Sequence, residues 1–295
     1  VTALLTRVKS TLSIRAHRRV RGMLDGEYAS IFRGKSHEFD DIRPYVPGDE
    51  IRDIDWKATA RAGYPLTKQF IAHRKQTVML VVDTGRDLAA VGAGGEPKRD
   101  VAILAAGALG YIAVRHGDRV GLIAGDADGV RLVEPKGAES HLERILQVVV
   151  ERARLDGARS DLRAVLERVV RTVRRRMLLV IVADDAAVDD ATAALVRRLT
   201  VQHEILWITV GDADVMSARW TTTPMFDVAD ERGIPDFLRR DRRLRAAFAE
   251  AEQARSSERD DRLDALAISH VRVTSQSDVV PTLFRLIEAH NHARR

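Results

Sequence analysis

Two aspartates close apolar runs in this sequence. Thr77–Val82 (TVMLVV) ends on Asp83, and Met177–Ala183 (MLLVIVA) ends on Asp184. Runs of this length, rich in Val, Ile and Leu, read as strands buried on both faces. Open parallel sheets place their sites outside the carboxyl ends of the strands, so the two carboxylates are expected on one sheet edge and in one crevice. Oxygen ligands gathered there can hold a hard cation, and a cation so held can activate water. A metal-dependent hydrolase built on Asp83, Asp87 and Asp184 is therefore one reading, although no general base or nucleophile accompanies the cluster.

Other chemistry-bearing patterns fail on inspection. Gly34-Lys35-Ser36 resembles the end of a phosphate loop, but the position five residues earlier is Ala29 instead of glycine. Asp126-Ala127-Asp128-Gly129 lacks the bidentate glutamate of a calcium loop and reads as a hairpin tip. His37-Glu38 has no second histidine at zinc-helix spacing. Gly92 to Gly95 does not open a helix as a dinucleotide fingerprint must, and reads as a loop tip. Asp83-Thr84-Gly85 has glycine where an aspartyl phosphatase needs a second acid. With no cysteine in the chain, disulfides, thiolate zinc sites and cysteine nucleophiles are excluded.

The stretch from Gly34 to Arg61 (GKSHEFDDIRPYVPGDEIRDIDWKATAR) is dense in both charges. Glu38, Asp40, Asp41, Asp49, Glu50, Asp53 and Asp55 face Arg43, Arg52, Lys57 and Arg61 at short range. Pro44, Pro47 and Gly48 argue against regular structure. The segment is expected to be a loop fixed by carboxylate–guanidinium pairs, anchored by Phe39, Tyr45 and a buried Trp56.

The elements that must position these residues follow from periodicity. A helix is expected over 3–24, with Leu4, Leu5, Val8, Leu12 and Val20 on one stripe. Pro65–Arg74 reads as a short strand leading toward the central sheet. Further strands are expected at 118–124, 129–133, 203–210 and 271–274. Helices are expected at 98–115, 140–154, 162–174, 189–199, 235–262 and 278–290. Ser140 and Glu143 are spaced as a capping box, and Ser160 is placed to cap the helix from Leu162. Apolar strands alternating with helices give an α/β fold: a mainly parallel central sheet with helices on both faces. The division is an N-terminal helix and signature segment at 1–76, followed by the α/β domain at 77–295.

At 295 residues, 45% hydrophobic and 31% charged, the chain can bury a substantial core. No apolar run reaches membrane-spanning length, which predicts a cytoplasmic protein. The net charge of +5 is mostly intermixed. The basic runs Arg15–Arg21 and Arg171–Arg176 read as solvated helix faces. A nucleic-acid or anionic-surface binder using Arg15–Arg21 is the alternative; no aromatic residues interleave with the bases to form a stacking platform.

Glu38-Phe39, Arg43-Pro44-Tyr45, Pro47-Gly48-Asp49, Arg52, Ile54-Asp55-Trp56 and Ala60-Arg61 together resemble the hallmark of the domain of unknown function 58 family. That resemblance covers nearly the whole chain and implies a von Willebrand factor A-like domain of Rossmann type from Thr77 onward. It also implies a non-enzymatic protein-interaction role with a MoxR-type AAA+ ATPase in assembling or activating a client protein. Members with two N-terminal membrane helices exist, and this chain looks like the short soluble kind.

The resemblance further implies a metal-ion-dependent adhesion site, in which Asp-x-Ser-x-Ser is joined by a later Thr and a later Asp. Asp83 matches the first position and Asp184 the last. Gly85 and Asp87 stand where the serines belong, and Ser160 stands where the threonine belongs. The implied ligands are thus Asp83, Asp87, Ser160 and Asp184, and the implied cation is Mg2+ or Mn2+.

Overall fold

The computed structural model describes residues 3–15, 28, 41–46, 54–69, 75–185, 188–217, 220, 225–228, 230, 232–233, 235 and 241–293. Its centre is a sheet in the order β5-β4-β3-β6-β7-β8. The strands are β3 (Thr77–Asp83), β4 (Arg119–Asp126), β5 (Gly129–Lys136), β6 (Leu178–Asp184), β7 (Glu204–Val210) and β8 (Ser269–Val273). All pairs are parallel except β4–β5, an edge hairpin that turns through Asp128-Gly129 with Gly129 at φ 146°. The chain leaves β3 toward β4 on one side and returns to β6 on the other. The point where strand order reverses therefore lies between β3 and β6, where a crevice opens in folds of this kind.

Alternation along β3 sends Val78, Leu80 and Val82 to one face and Met79 and Val81 to the other. On the first face lie α1 (Leu4–Arg15), α3 (Lys98–Arg115), α4 (Glu139–Arg152) and α8 (Val279–Ala293). The second is covered by α5 (Leu162–Thr172), α6 (Asp190–Thr200) and the end of α7 (Arg242–Ala265). Leu5, Val8 and Leu12 of α1 are buried in the same core as α3 and α4, as the expected stripe requires; Val20 lies outside the described residues.

Local corrections have simple causes. Glu143 does not close a capping box with Ser140. It lies on the α4 face turned to α1 and accepts from Leu4 N–H at 3.0 Å and Leu5 N–H at 2.6 Å, so it caps the start of α1 from outside. The cap of α5 is Asp161, which accepts from Ala164 N–H at 2.9 Å, and Ser160 is free for another use.

The signature is more regular than its composition predicts. Asp41–Pro44 is a strand, β1, paired antiparallel with β2 (Leu66–Gln69) in a separate two-stranded ribbon. Of the strand expected at 65–74, Leu66–Gln69 pairs with β1 in this ribbon, and 70–74 lie outside the described residues. Trp56–Ala62 is a helix, α2, capped by Asp55, whose Oδ1 accepts from Lys57 and Ala58 N–H at 3.0 Å each. At its other end Gly63, at φ 80°, donates back to Thr59 O. Backbone pairs and this cap hold the described part together, and Arg61 makes no ion pair with a described residue. A seven-residue helix with no buried residue has no face to turn inward, so Trp56 is 65% exposed, contrary to the expected anchor.

Candidate functional site

The carboxyl edge of the sheet carries an aspartate at or just after each of four neighbouring parallel strands: Asp126 on β4, Asp83 on β3, Asp184 with Asp185 on β6, and Asp212 after β7. Parallel pairing brings the ends of β3 and β6 side by side, as the sequence predicts for Asp83 and Asp184. The chemistry of the edge is decided by what neutralises each acid.

Asp126 is held by Arg152, whose guanidinium also donates to Gly129 O, both at 2.7 Å. Asp185 has a 5% exposed side chain and pairs with Arg259 of α7 and Arg272 of β8. Burial would raise its pKa, but the hydrogen bonds and charges of Arg272 and Arg259 hold it below the usual carboxylate range.

Lys98 opens α3, yet its side chain is only 2% exposed. Its ammonium pairs with Asp212 and lies 3.8 Å from Asp184 Oδ2. Burial works against the charge; the attraction of Asp212, then of Asp184 and Asp87, outweighs it and raises the lysine pKa. Asp87 sits half-buried in the single turn Arg86–Ala89 after β3, within electrostatic reach of both Lys98 and Asp83.

Asp83 is different. No described Lys or Arg lies within ion-pair distance, and its 2% exposed carboxylate accepts instead from the backbone N–H groups of Gly85, at 3.0 Å, and Asp161. Its pKa is pushed up to about 7, first by burial and then by Asp184 and Asp87; the two N–H donors oppose the rise. A carboxyl that titrates near neutrality suits a general base. Among the described residues, however, no hydroxyl or imidazole is hydrogen-bonded to it.

Ser160 reaches this edge through its backbone. Arg86 N–H donates to Ala158 O at 2.8 Å and Ala127 N–H to Arg159 O at 2.9 Å, which latches the 158–161 loop onto the ends of β3 and β4. A Cβ built on Gly85 would lie 2.2 Å from Ser160 Cα and 2.4 Å from its Oγ. Glycine at 85 is thus the condition for the loop to close, and a serine there has no room.

The Gly-rich segment expected as a free tip is a roof. Ala93 donates to Gly211 O at 3.0 Å and Gly94 to Thr274 O at 2.7 Å, carrying 91–97 across the ends of β7 and β8. Glu96 accepts from Gln276 N–H at 2.6 Å, and Gly92 passes over the Lys98 stem, where a Cβ would meet Lys98 Cγ at 3.1 Å.

The structure thus gathers Asp83, Asp87, Ser160 and Asp184 around one sheet edge, but the set does not fit a divalent cation. Among the described residues no three acidic or imidazole side chains converge to hold one ion. The positive charge beside Asp184 is an ammonium, the residue at 85 offers no oxygen, and a roof covers the lysine. Sequence reasoning missed Lys98, Asp185, Asp212, Arg259 and Arg272. The aspartate recurring after β4 and β7 was a legible signal; the cations come from remote helices and strands and left none.

Of the signature residues, Arg43 and Pro44 lie on β1, Tyr45 is half-buried and donates its N–H to Pro65 O, and Asp55 caps α2. Glu38, Phe39, Pro47, Gly48, Asp49 and Arg52 lie outside the described residues, as does nearly all of the basic run Arg15–Arg21. Val46, Trp56 and Tyr64 are each more than half exposed.

Comparison with known proteins agrees with the signature. Uncharacterized proteins of Mycobacterium bovis and Mycobacterium tuberculosis are 30% identical over 251 residues, covering 83% of this chain and 76% of theirs. Among solved structures, an aerotolerance-related membrane protein from Bacteroides fragilis aligns over 72% of this chain and 99% of its own, at 12% identity and a TM-score of 0.42. A von Willebrand factor type A protein from Catenulispora acidiphila aligns over 77% of this chain and 43% of its own, at 9% identity and a TM-score of 0.40. Residues 41–258 match the family described as protein of unknown function DUF58, and the chain belongs to that family.

Proposed function

We propose that this chain is a non-enzymatic protein-interaction module that works with a MoxR-type AAA+ ATPase in assembling or activating client proteins, in the cytoplasm. The observation that carries the reading is the exposure of Trp56, at 65%, on a helix fixed by its cap and by the β1–β2 ribbon. Val46 and Tyr64 are exposed in the same segment. Aromatic side chains held in place on a surface are the usual anchors of protein interfaces. At the sheet edge, by contrast, Lys98, Arg152, Arg259 and Arg272 are each matched with Asp212, Asp126 or Asp185, an arrangement that serves structure better than turnover. No helix among the described residues is long and apolar enough to cross a membrane, and the absence of cysteine suits a reducing compartment.

The test is affinity capture from the native cell with the full chain as bait, read by mass spectrometry for an AAA+ ATPase, beside a Trp56→Ala bait. The reading expects the ATPase with the wild type and its loss, or a tenfold or greater reduction, with the variant. Absence of any AAA+ ATPase from the wild-type capture overturns the partnership, and undiminished capture by Trp56→Ala overturns the surface.

A further inference from the structure

We infer that the Lys98 ammonium is the resident cation on the β6–β7 side of the sheet edge, pairing with Asp212 and lying beside Asp184, so that this face works without a divalent cation. The inference stands on geometry and does not depend on the proposed partner. Lys98 begins a helix, where a lysine would normally extend into water and where the helix dipole disfavours positive charge. Here its side chain is 2% exposed and turned inward, against that preference. The groups facing it come from separate elements: Asp184 from the end of β6, Asp212 from beyond β7, and Asp87 from the turn after β3. One cation thereby pairs with acids from the ends of β6 and β7 and is attracted by a third beyond β3.

Two further features fit a permanent cation. The 91–97 roof lies over the Lys98 stem through Gly92 and is pinned to Gly211 and Thr274, which holds the side chain in its inward course. The space a serine hydroxyl would need at 85 is filled by the Ser160 backbone, so the oxygen set cannot be restored by a change of side chain alone. An ammonium offers three donors and demands no octahedral shell, and it tolerates this reduced set.

The experiment is thermal unfolding of the full chain with MgCl2, MnCl2 or EDTA, followed by fluorescence. Wild type should give the same Tm in all three. A rise with Mn2+ that Asp184→Asn removes would overturn the inference. Lys98→Met should lower Tm by roughly 5–15 °C, because it takes the ammonium from Asp184, whose side chain is 12% exposed, and from Asp212; an unchanged Tm would also overturn it. Should Lys98→Met fail to fold, the triple variant Lys98→Met, Asp184→Asn, Asp212→Asn decides the matter. Removing the negative charges with the positive one should restore a cooperative transition. If it stays unfolded, lysine acts by packing alone and the inference fails.

Discussion

Arg259 and Asp185 meet as a buried pair, their side chains 2% and 5% exposed, and join the last third of α7 to the end of β6. Helix α7 is otherwise partly or fully exposed, with Leu263 as its only other buried residue. Its attachment also runs through Arg262, which donates to Val188 O at 2.9 Å and pairs with Asp190 at 2.8 Å. Removing one member of a buried pair typically costs about 3–5 kcal/mol, and because Asp185 keeps Arg272 as a second partner the loss here belongs at the low end, about 3 kcal/mol. Arg259→Leu should approach that loss in a denaturant titration, while Arg255→Leu, three-fifths exposed, should cost less than about 1 kcal/mol. Equal effects would mean that the pair does not dock the helix.

The Asp83 carboxyl gives the edge a pH dependence of unusual sign. Its folded pKa of about 7 lies above the unfolded value of 3.8. Its contribution to stability is therefore fully present below pH ~4 and is lost as pH rises through ~7. Asp185 has the opposite sign: its folded pKa is depressed, so its contribution is present above the unfolded value and is lost as pH falls through the folded one. Taking wild type minus Asp83→Asn isolates the first group. That difference in unfolding free energy should fall by on the order of 2–4 kcal/mol between pH 4 and pH 8. A flat difference would place the carboxyl in water.

Trp56→Ala should cost less than about 1 kcal/mol, the range for exposed positions, instead of the 3–5 kcal/mol of a core aromatic. Asp55→Ala should cost more, about 1 kcal/mol, because it uncaps α2. Chemical denaturation of the two variants side by side checks the order; a larger loss from Trp56→Ala would show the indole to be an anchor after all.

Fold and site were legible to different depths. Continuous apolar runs such as TVMLVV identify buried strands because both sheet faces must be covered, and the aspartates that end them mark the edge where they meet. In the signature most of the charges expected to pair lie outside the described residues; the described order comes from backbone pairing between β1 and β2 and one cap, which composition hides, and Trp56, expected as an anchor, is exposed. Lys98 was hidden for a related reason. A lysine at a helix start reads as solvated, and only the register of three strand ends shows that it turns inward. Gly85 read as a lost ligand because a single sequence cannot show that Ser160 presses against it.

That contact yields the sharpest substitution. If Gly85 merely lacked a hydroxyl, Gly85→Ser would complete the oxygen set and make the protein metal-responsive. With Ser160 Cα 2.2 Å from the new Cβ, and the 158–161 loop latched by Arg86 and Ala127 N–H groups, either the loop must lift or β3 must shift. Backbone atoms on the receiving side make relaxation expensive, and overpacking of this kind costs about 1–3 kcal/mol, occasionally more. Gly85→Ala carries the same Cβ without the hydroxyl and should be equally destabilising. The expected outcome is therefore two variants with matching losses in Tm, neither recovered by 5 mM Mg2+ or Mn2+, about a saturating level for an ordinary divalent site. A serine variant that is stable, and more so with Mn2+, would show that the loop opens readily and that a metal site lies one substitution away.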